Sequence, residues 1–186
     1  MRARAPARTH LGGVDLIALY VEDHLALSLG GIRLARRSLG ENRGTPFAAP
    51  LERLIPDLEE DRDVLKDLLR ALGGSRSALK EAAVVLGEYA GRLKPNGRLL
   101  SYSPLSRVWE LEGLLAGSES RRGMWNALAR VQRQDRRLEG FDFAALEARA
   151  RRHLDELERW RLRAAEEAFG LAPRRRSRAA TPQPAR

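Results

Sequence analysis

The chain has 186 residues, 43% of them hydrophobic and 32% charged, so it can form one domain with a full hydrophobic core. It contains no cysteine, which excludes disulfides, thiolate-bound metals, iron–sulfur clusters and a cysteine nucleophile. Charged residues interrupt every apolar run well before the roughly 18 residues that a membrane span needs. We therefore predict a cytoplasmic protein that has no contact with a membrane.

The formal net charge of +9 is concentrated at the two ends of the chain. We predict a basic flexible tail at residues 1–11, a helical bundle at residues 12–170 and a basic disordered tail at residues 171–186. Basic tails are commonly just solvated, but they can also bind polyanions weakly, without sequence preference and in a salt-dependent way. In the second tail that contact would involve Arg174, Arg175, Arg176 and Arg178.

Apolar residues recur at helical spacing in several segments that end at glycine or proline. Pro56 is expected to kink or restart the second of these helices. Three tryptophans at helical positions, Trp109, Trp125 and Trp160, are expected to anchor the core. The predicted helices span approximately 12–39, 49–72, 76–91, 104–135 and 143–169.

Four long helices with mostly short links, and no strand-like alternation, predict an all-α fold. We expect an antiparallel four-helix bundle. The link between the second and third long helices is the long one, since it holds the short helix 76–91 and the loop 92–103. A single long crossover of this kind is the arrangement of ferritin-like bundles.

An ionisable residue interrupts the apolar stripe of each long helix near its middle. In the first helix the stripe through positions 16, 20, 23, 27, 30 and 34 includes Asp23. In the second helix either Asp61 or Arg62 takes a core position, with Glu59 at its edge. Buried charge is costly unless it is paired or bound to a metal. We therefore predict one buried polar layer, formed by Asp23, Glu59, Arg62, Glu112, His153 and Glu156.

Four stretches that cover nearly the whole body of the chain carry a family resemblance. They resemble an uncharacterised actinobacterial family of short helical proteins of ferritin-like type, and they read YVEDHLALSLGGIRLARRSLGENRGTPF, LEEDRDVL, GRLKPNGRLLSYSPLSRVWELEGL and HLDELERWRLRAA. The resemblance implies a ferritin-like fold. Di-iron members of the ferritin-like superfamily place one Glu on each of two helices and a Glu-x-x-His pair on each of the other two.

The first and third long helices of this chain hold residues that match the single carboxylates of that motif. Asp23 or Glu22 would stand for the carboxylate of the first helix. Glu112 or Glu110 would stand for that of the third long helix. The resemblance therefore implies the two single carboxylates of a ferritin-like ligand set on these two helices.

The other two long helices depart from the motif. The second helix has Glu59 followed three residues later by Arg62, and the last has His153 three residues before Glu156, in reversed order. Arg62 is the more serious departure, because a guanidinium cannot ligate a cation and repels it. An ion-pair network without metal would account for the same residues.

Two functional hypotheses follow from the sequence. The leading one is a non-enzymatic scaffold or interaction protein without a cofactor, whose ferritin-like metal site is replaced by buried ion pairs and whose partner is another protein or a second copy. The alternative is an iron- or manganese-binding protein with oxidase-like chemistry. Its ligands would be Asp23, Glu59, Glu112, His153 and Glu156.

Overall fold

The computed structural model of the protein describes residues 10–11, 14–73 and 102–171. In these residues the fold is helical, so the prediction of an all-α body with four long helices is confirmed. None of the described helices combines the length and the apolar composition that crossing a lipid bilayer requires. The four helices are α1 (Leu16–Glu41), α2 (Ala48–Ala71), α3 (Pro104–Val131) and α4 (Phe143–Ala168).

Three predicted segments lie wholly or mostly outside the described residues: the tail 1–11, the short helix and loop at 76–103, and the tail 171–186. The four arginines predicted to contact polyanions belong to the last of these. Although the sequence predicted no strand, the two-residue strand His10–Leu11 pairs antiparallel with the two-residue strand Val14–Asp15, just before α1.

Short polar side chains cap the first turns of three helices. Asp15 Oδ1 accepts hydrogen bonds from the backbone N–H groups of Ile17 and Ala18, at 3.0 and 3.3 Å. Ser103 caps α3 through a reciprocal capping box, and Asp142 accepts a hydrogen bond in the first turn of α4. These side chains satisfy backbone donors that a helix leaves unpaired at its start. The caps therefore determine where these three helices begin.

The helices pack in a closed order, in which α1 contacts α2 and α3, and α4 contacts the same two helices. Their buried apolar side chains form two clusters, one at each end of the bundle. The first cluster includes Val21, Leu25, Leu68, Trp125 and Phe143. The second cluster includes Ala35, Phe47, Leu51, Leu111 and Leu157.

The buried stripe of α1 is not the predicted one. The core side of α1 is formed by Ile17, Val21, Leu25, Ile32 and Ala35. The sequence of α1 contains two apolar stripes about one residue apart, and only packing against α2 and α3 selects between them. The prediction that Asp23 is buried is therefore wrong, because Asp23 belongs to the stripe that remains exposed.

Two further sequence predictions are corrected by the structure. Trp125 is fully buried and Trp160 packs on the Phe47 ring, with 5.2 Å between ring centroids, but Trp109 is 68% exposed and does not anchor the core. Helix α2 continues through Pro56, whose side chain is exposed, instead of restarting there.

Two leucines of α4 provide a test of the core assignment. Leu157 is 2% exposed and Leu162 is 49% exposed. We expect Leu157→Ala to lower the free energy of unfolding by about 2–5 kcal/mol, because it leaves a cavity in the second cluster. Leu162→Ala is the matched control, and its effect should stay within about 0.5 kcal/mol. Urea denaturation measures both, and equal losses would contradict this packing.

Candidate functional site: a buried ion-pair layer

Charged side chains separate the two apolar clusters at the middle of the bundle. Asp61 of α2, Arg121 of α3 and His153 of α4 are 2%, 8% and 8% exposed. On α2 the buried Asp61 lies between Leu54 and Leu65, which belong to different clusters. We use the name buried ion-pair layer for Asp57, Asp61, Arg121, Arg149 and His153.

Asp61 is paired with two guanidinium groups. Arg149 Nη2 donates a hydrogen bond to Asp61 Oδ1, and Arg121 Nη1 lies 3.2 Å from Asp61 Oδ2. Burial raises the pKa of Asp61, while the positive charges of Arg121 and Arg149 oppose that rise. Because arginine does not lose its proton in proteins, both guanidinium groups favour the ionised carboxylate.

The hydrogen bonds of His153 identify its protonation state. Arg121 Nη2 lies 2.7 Å from His153 Nδ1, and His153 Nε2 lies 2.8 Å from Asp57 Oδ2. A guanidinium has donors only, so Nδ1 must accept and the ring proton must be on Nε2, from which it is donated to Asp57. His153 is therefore a neutral imidazole held between a cation and a carboxylate.

The surroundings of His153 keep it neutral. Burial is the largest effect that lowers the pKa of His153, and the neighbouring Arg121 charge lowers it further. Asp57 acts in the opposite direction, but its side chain is 36% exposed and lies at the edge of the layer. A second proton on the imidazole would be on Nδ1, directly facing the Arg121 guanidinium.

The layer is built from two pairs of residues spaced by one helical turn. Asp57 and Asp61 are four residues apart on α2, and Arg149 and His153 are four residues apart on α4, so each pair shares one helix face. The α2 carboxylates thus face the α4 cation and imidazole, and Arg121 of α3 contacts both sides. The sequence analysis missed Asp57, Arg121 and Arg149, although the i, i+4 spacing on both helices was a usable signal.

Arg62 lies outside this layer. It is half-buried between α2 and α1, where its Nη1 donates hydrogen bonds to the backbone carbonyl of Leu25 and to Ser28 Oγ, the latter at 2.7 Å. Arg62 therefore connects α2 to α1 instead of pairing with a carboxylate in the core. Of the two alternatives that the sequence left open for this stripe, Asp61 takes the fully buried position.

The remaining predicted carboxylates are also outside the layer. Asp23 is exposed, and the other three form ion pairs near the surface. Each of these three is paired with an arginine of a neighbouring helix. These pairs are Glu59 with Arg36 at 2.7 Å, Glu112 with Arg161 at 3.8 Å, and Glu156 with Arg53.

The layer does not fit a metal centre. In the part of the chain that the structure describes, no group of three or more His, Cys, Asp or Glu side chains is arranged to hold a metal ion. Both ring nitrogens of His153 are engaged in hydrogen bonds. Arg121 and Arg149 place two positive charges beside the carboxylates, and a guanidinium offers no lone pair to a cation.

A second buried polar cluster connects the end of α1 to the start of α3. Asn42 Nδ2 donates to Tyr102 Oη at 2.8 Å, Tyr102 Oη donates to Glu110 Oε2 at 2.9 Å, and Arg107 Nε donates to Asn42 Oδ1 at 2.6 Å. Burial and the Glu110 carboxylate raise the pKa of Tyr102 to about 12, so the phenol remains a neutral donor. Glu110, the alternative candidate to Glu112, is thus part of an internal network.

The titration of His153 can be followed directly. We expect NMR to show a His153 pKa below the ordinary value of about 6.5, rising in Arg121→Met because the neighbouring cation is removed. Since the unfolded histidine takes up a proton at a pH where the folded one does not, stability should fall as the pH drops below about 6.5.

Burial also lowers the pKa of His24, so this residue contributes to the same pH dependence. His153→Gln should remove part of the stability loss between about pH 7.5 and 5.5, and His24→Gln a further part. A His153 pKa above that of an exposed histidine would contradict the neutral Nε2–H tautomer.

Comparisons of this chain with protein-family models, with curated proteins and with solved structures found no match.

Proposed function

We propose that the protein is a non-enzymatic helical-bundle scaffold that binds another protein or a second copy of itself. The observation that carries this proposal is the pairing inside the buried ion-pair layer. Asp61 is neutralised by two guanidinium groups, and both nitrogens of His153 are engaged by Arg121 and Asp57. General acid–base catalysis requires a group within hydrogen-bond reach of a substrate proton, whereas these groups are directed at one another.

The scaffold we propose has the antiparallel topology of ferritin-like bundles. Its support is the order of contacts along the helices. Arg107 near the start of α3 pairs with Glu167 near the end of α4, at 3.1 Å, and Arg122 further along α3 lies 3.4 Å from Glu147 near the start of α4. Ion pairs between α2 and α4 follow the same reversed order, Arg53 with Glu156 and Glu60 with Arg149.

The connection between α2 and α3 supports the same topology. Both helices run opposite to α4, so they run in the same direction, and the end of α2 and the start of α3 lie at opposite ends of the bundle. These two helix ends are therefore separated by the length of the bundle, about 36 Å for a helix the size of α2. One long crossover among short links is the ferritin-like connectivity.

In this proposal the buried ion-pair layer takes the place of a ferritin-like metal centre. Metal ligands of such bundles project inward from facing helices. Here the layer holds two aspartates and two arginines, whose formal charges cancel, together with the neutral His153. Buried ion pairs add little net stability compared with apolar packing, but they can specify the register of helices. We infer that register is what the layer provides.

The pairing of Arg121 can be tested by removing it. We expect Arg121→Met to lower the free energy of unfolding by about 3–5 kcal/mol, because it leaves Asp61 buried with fewer partners. Arg161→Met removes ion pairs with Glu112 and Glu158, in which all three side chains are partly exposed, and it should cost less than about 1 kcal/mol.

The double variant Arg121→Met/Asp61→Asn should lose less than the sum of its two single variants, because the two residues interact. Urea denaturation measures all of these free energies. Equal losses in Arg121→Met and Arg161→Met, or additive losses in the double variant, would show that the layer does not act as a unit.

Elemental analysis of protein from metal-rich medium tests the proposal against its alternative. We expect iron, manganese and zinc far below one ion per chain, with no difference between the unmodified protein and His153→Ala. Near-stoichiometric metal that disappears in His153→Ala would overturn the scaffold proposal. It would favour the metal-binding, oxidase-like alternative instead.

A further inference from the structure

One guanidinium group between α1 and α2 has no carboxylate to pair with. Among the arginines of the described residues that form no ion pair, Arg62 is the half-buried one, whereas the others are exposed. Withdrawing a positive charge from water is costly unless an opposite charge compensates it. Of these unpaired arginines, Arg62 is therefore the one to which an anion from outside the chain would contribute most.

Helix α1 holds one end of the Arg62 guanidinium in place. Its Nη1 donates to the backbone carbonyl of Leu25 and to Ser28 Oγ, and Ser28 Oγ in turn donates to the same carbonyl at 2.7 Å. No nitrogen of Arg62 is among the buried polar atoms of the described residues that lack a partner, so Nε and Nη2 reach the solvent. Parallel N–H groups on one edge of a guanidinium bind two oxygens of a carboxylate or a phosphate. Arg62 is thus fixed at one end and open along the edge that recognises oxyanions.

A second unpaired guanidinium lies close to Arg62. Burial is the largest effect that lowers the pKa of Arg62, and the positive charge of Arg33 on α1 lowers that pKa further, whereas Asp63 raises it. Arg33 is exposed and forms no ion pair with any described residue. Since the two positive charges repel each other, an anion bound between them would stabilise both.

The acids that flank Arg62 on α2 already have cationic partners. Glu59 pairs with Arg36 at 2.7 Å, and Asp63 pairs with Lys66 at 2.7 Å. Within each of these ion pairs the charges cancel. The charges of the two unpaired guanidinium groups therefore remain, and an oxyanion with two negative charges would balance them.

We propose that Arg62 and Arg33 bind the phosphate group of a phosphate monoester at the surface between α1 and α2. Nε and Nη2 of Arg62 donate to two phosphate oxygens, and Arg33 donates to a third. A phosphate monoester carries about −1.5 to −2 charges at pH 7, which matches the two cations. A carboxylate or a phosphodiester carries one negative charge and leaves one guanidinium uncompensated. The inference is independent of the scaffold proposal, whose tests involve neither arginine.

The NMR signal of an arginine Nε–H group reports this contact directly. The full-length protein is titrated with phenyl phosphate at constant ionic strength and about pH 7.5, where the monoester is mostly a dianion. We expect a saturable shift of the Arg62 Nε–H signal, and no such shift when chloride replaces phenyl phosphate at the same ionic strength. An unshifted Arg62 signal, or an equal shift with chloride, would overturn the proposal.

Three substitutions separate a specific site from general attraction to a basic protein. Arg33→Met removes an exposed side chain, and it should weaken the binding of phenyl phosphate about tenfold because a charge-assisted hydrogen bond is lost. Arg62→Lys keeps the charge but lacks the two-nitrogen edge, so it should weaken binding by a similar factor. Arg43→Met removes another exposed arginine without an ion pair and is the matched control. Equal weakening by Arg33→Met and Arg43→Met would overturn the proposal.

Other probes identify the class of ligand and its source. Dimethyl phosphate, which stands for a nucleic-acid backbone, and acetate each carry one negative charge, and we expect both to bind more weakly than phenyl phosphate. Equal affinity for dimethyl phosphate would overturn the assignment to a monoester. A short peptide that contains phosphoserine distinguishes the two sources of a monoester. Affinity equal to that of phenyl phosphate would support a free phosphorylated molecule, and tighter binding would support a phosphorylated protein.

Discussion

The pairing of Asp61 with Arg121 and Arg149 is the constraint on which the middle of the bundle depends. One buried carboxylate contacts cations from two other helices, so α2, α3 and α4 cannot slide past one another without leaving a charge unpaired in the core. His153 extends the same network, because its neutral ring accepts from Arg121 and donates to Asp57.

Helix α1 is held by other interactions. Its core stripe packs into both apolar clusters, Arg62 reaches across from α2, and Asn42 joins the network of Tyr102 and Glu110 at the start of α3. None of these contacts involves the buried ion-pair layer. α1 is thus oriented by apolar packing along its length, by Arg62 at its middle and by polar contacts near its end.

Surface charge is distributed unevenly over the helices of the proposed scaffold. The outer surfaces of α2 and α4 are rich in arginine, aspartate and glutamate, several of which form ion pairs of modest strength such as Arg53 with Glu156. The outer side of α3 carries fewer charges, since Glu119 and Arg130 are its exposed charged residues, and it exposes Trp109.

Helical periodicity and the glycine and proline residues between helices by themselves determined the four helices, their approximate ends and the buried stripes of α2 and α4, including the interior position of His153 on its stripe. These sequence patterns could not decide which of two apolar stripes on α1 is buried. They also could not show that the Arg62 side chain bonds to α1 while Asp61 is buried in the core. Periodicity defines where a residue lies around its own helix, but only the neighbouring helices determine which side of that helix is buried. Arg121 and Arg149 show the same limit, because arginine is ordinarily a surface residue and becomes an interior one only when a carboxylate from another helix meets it.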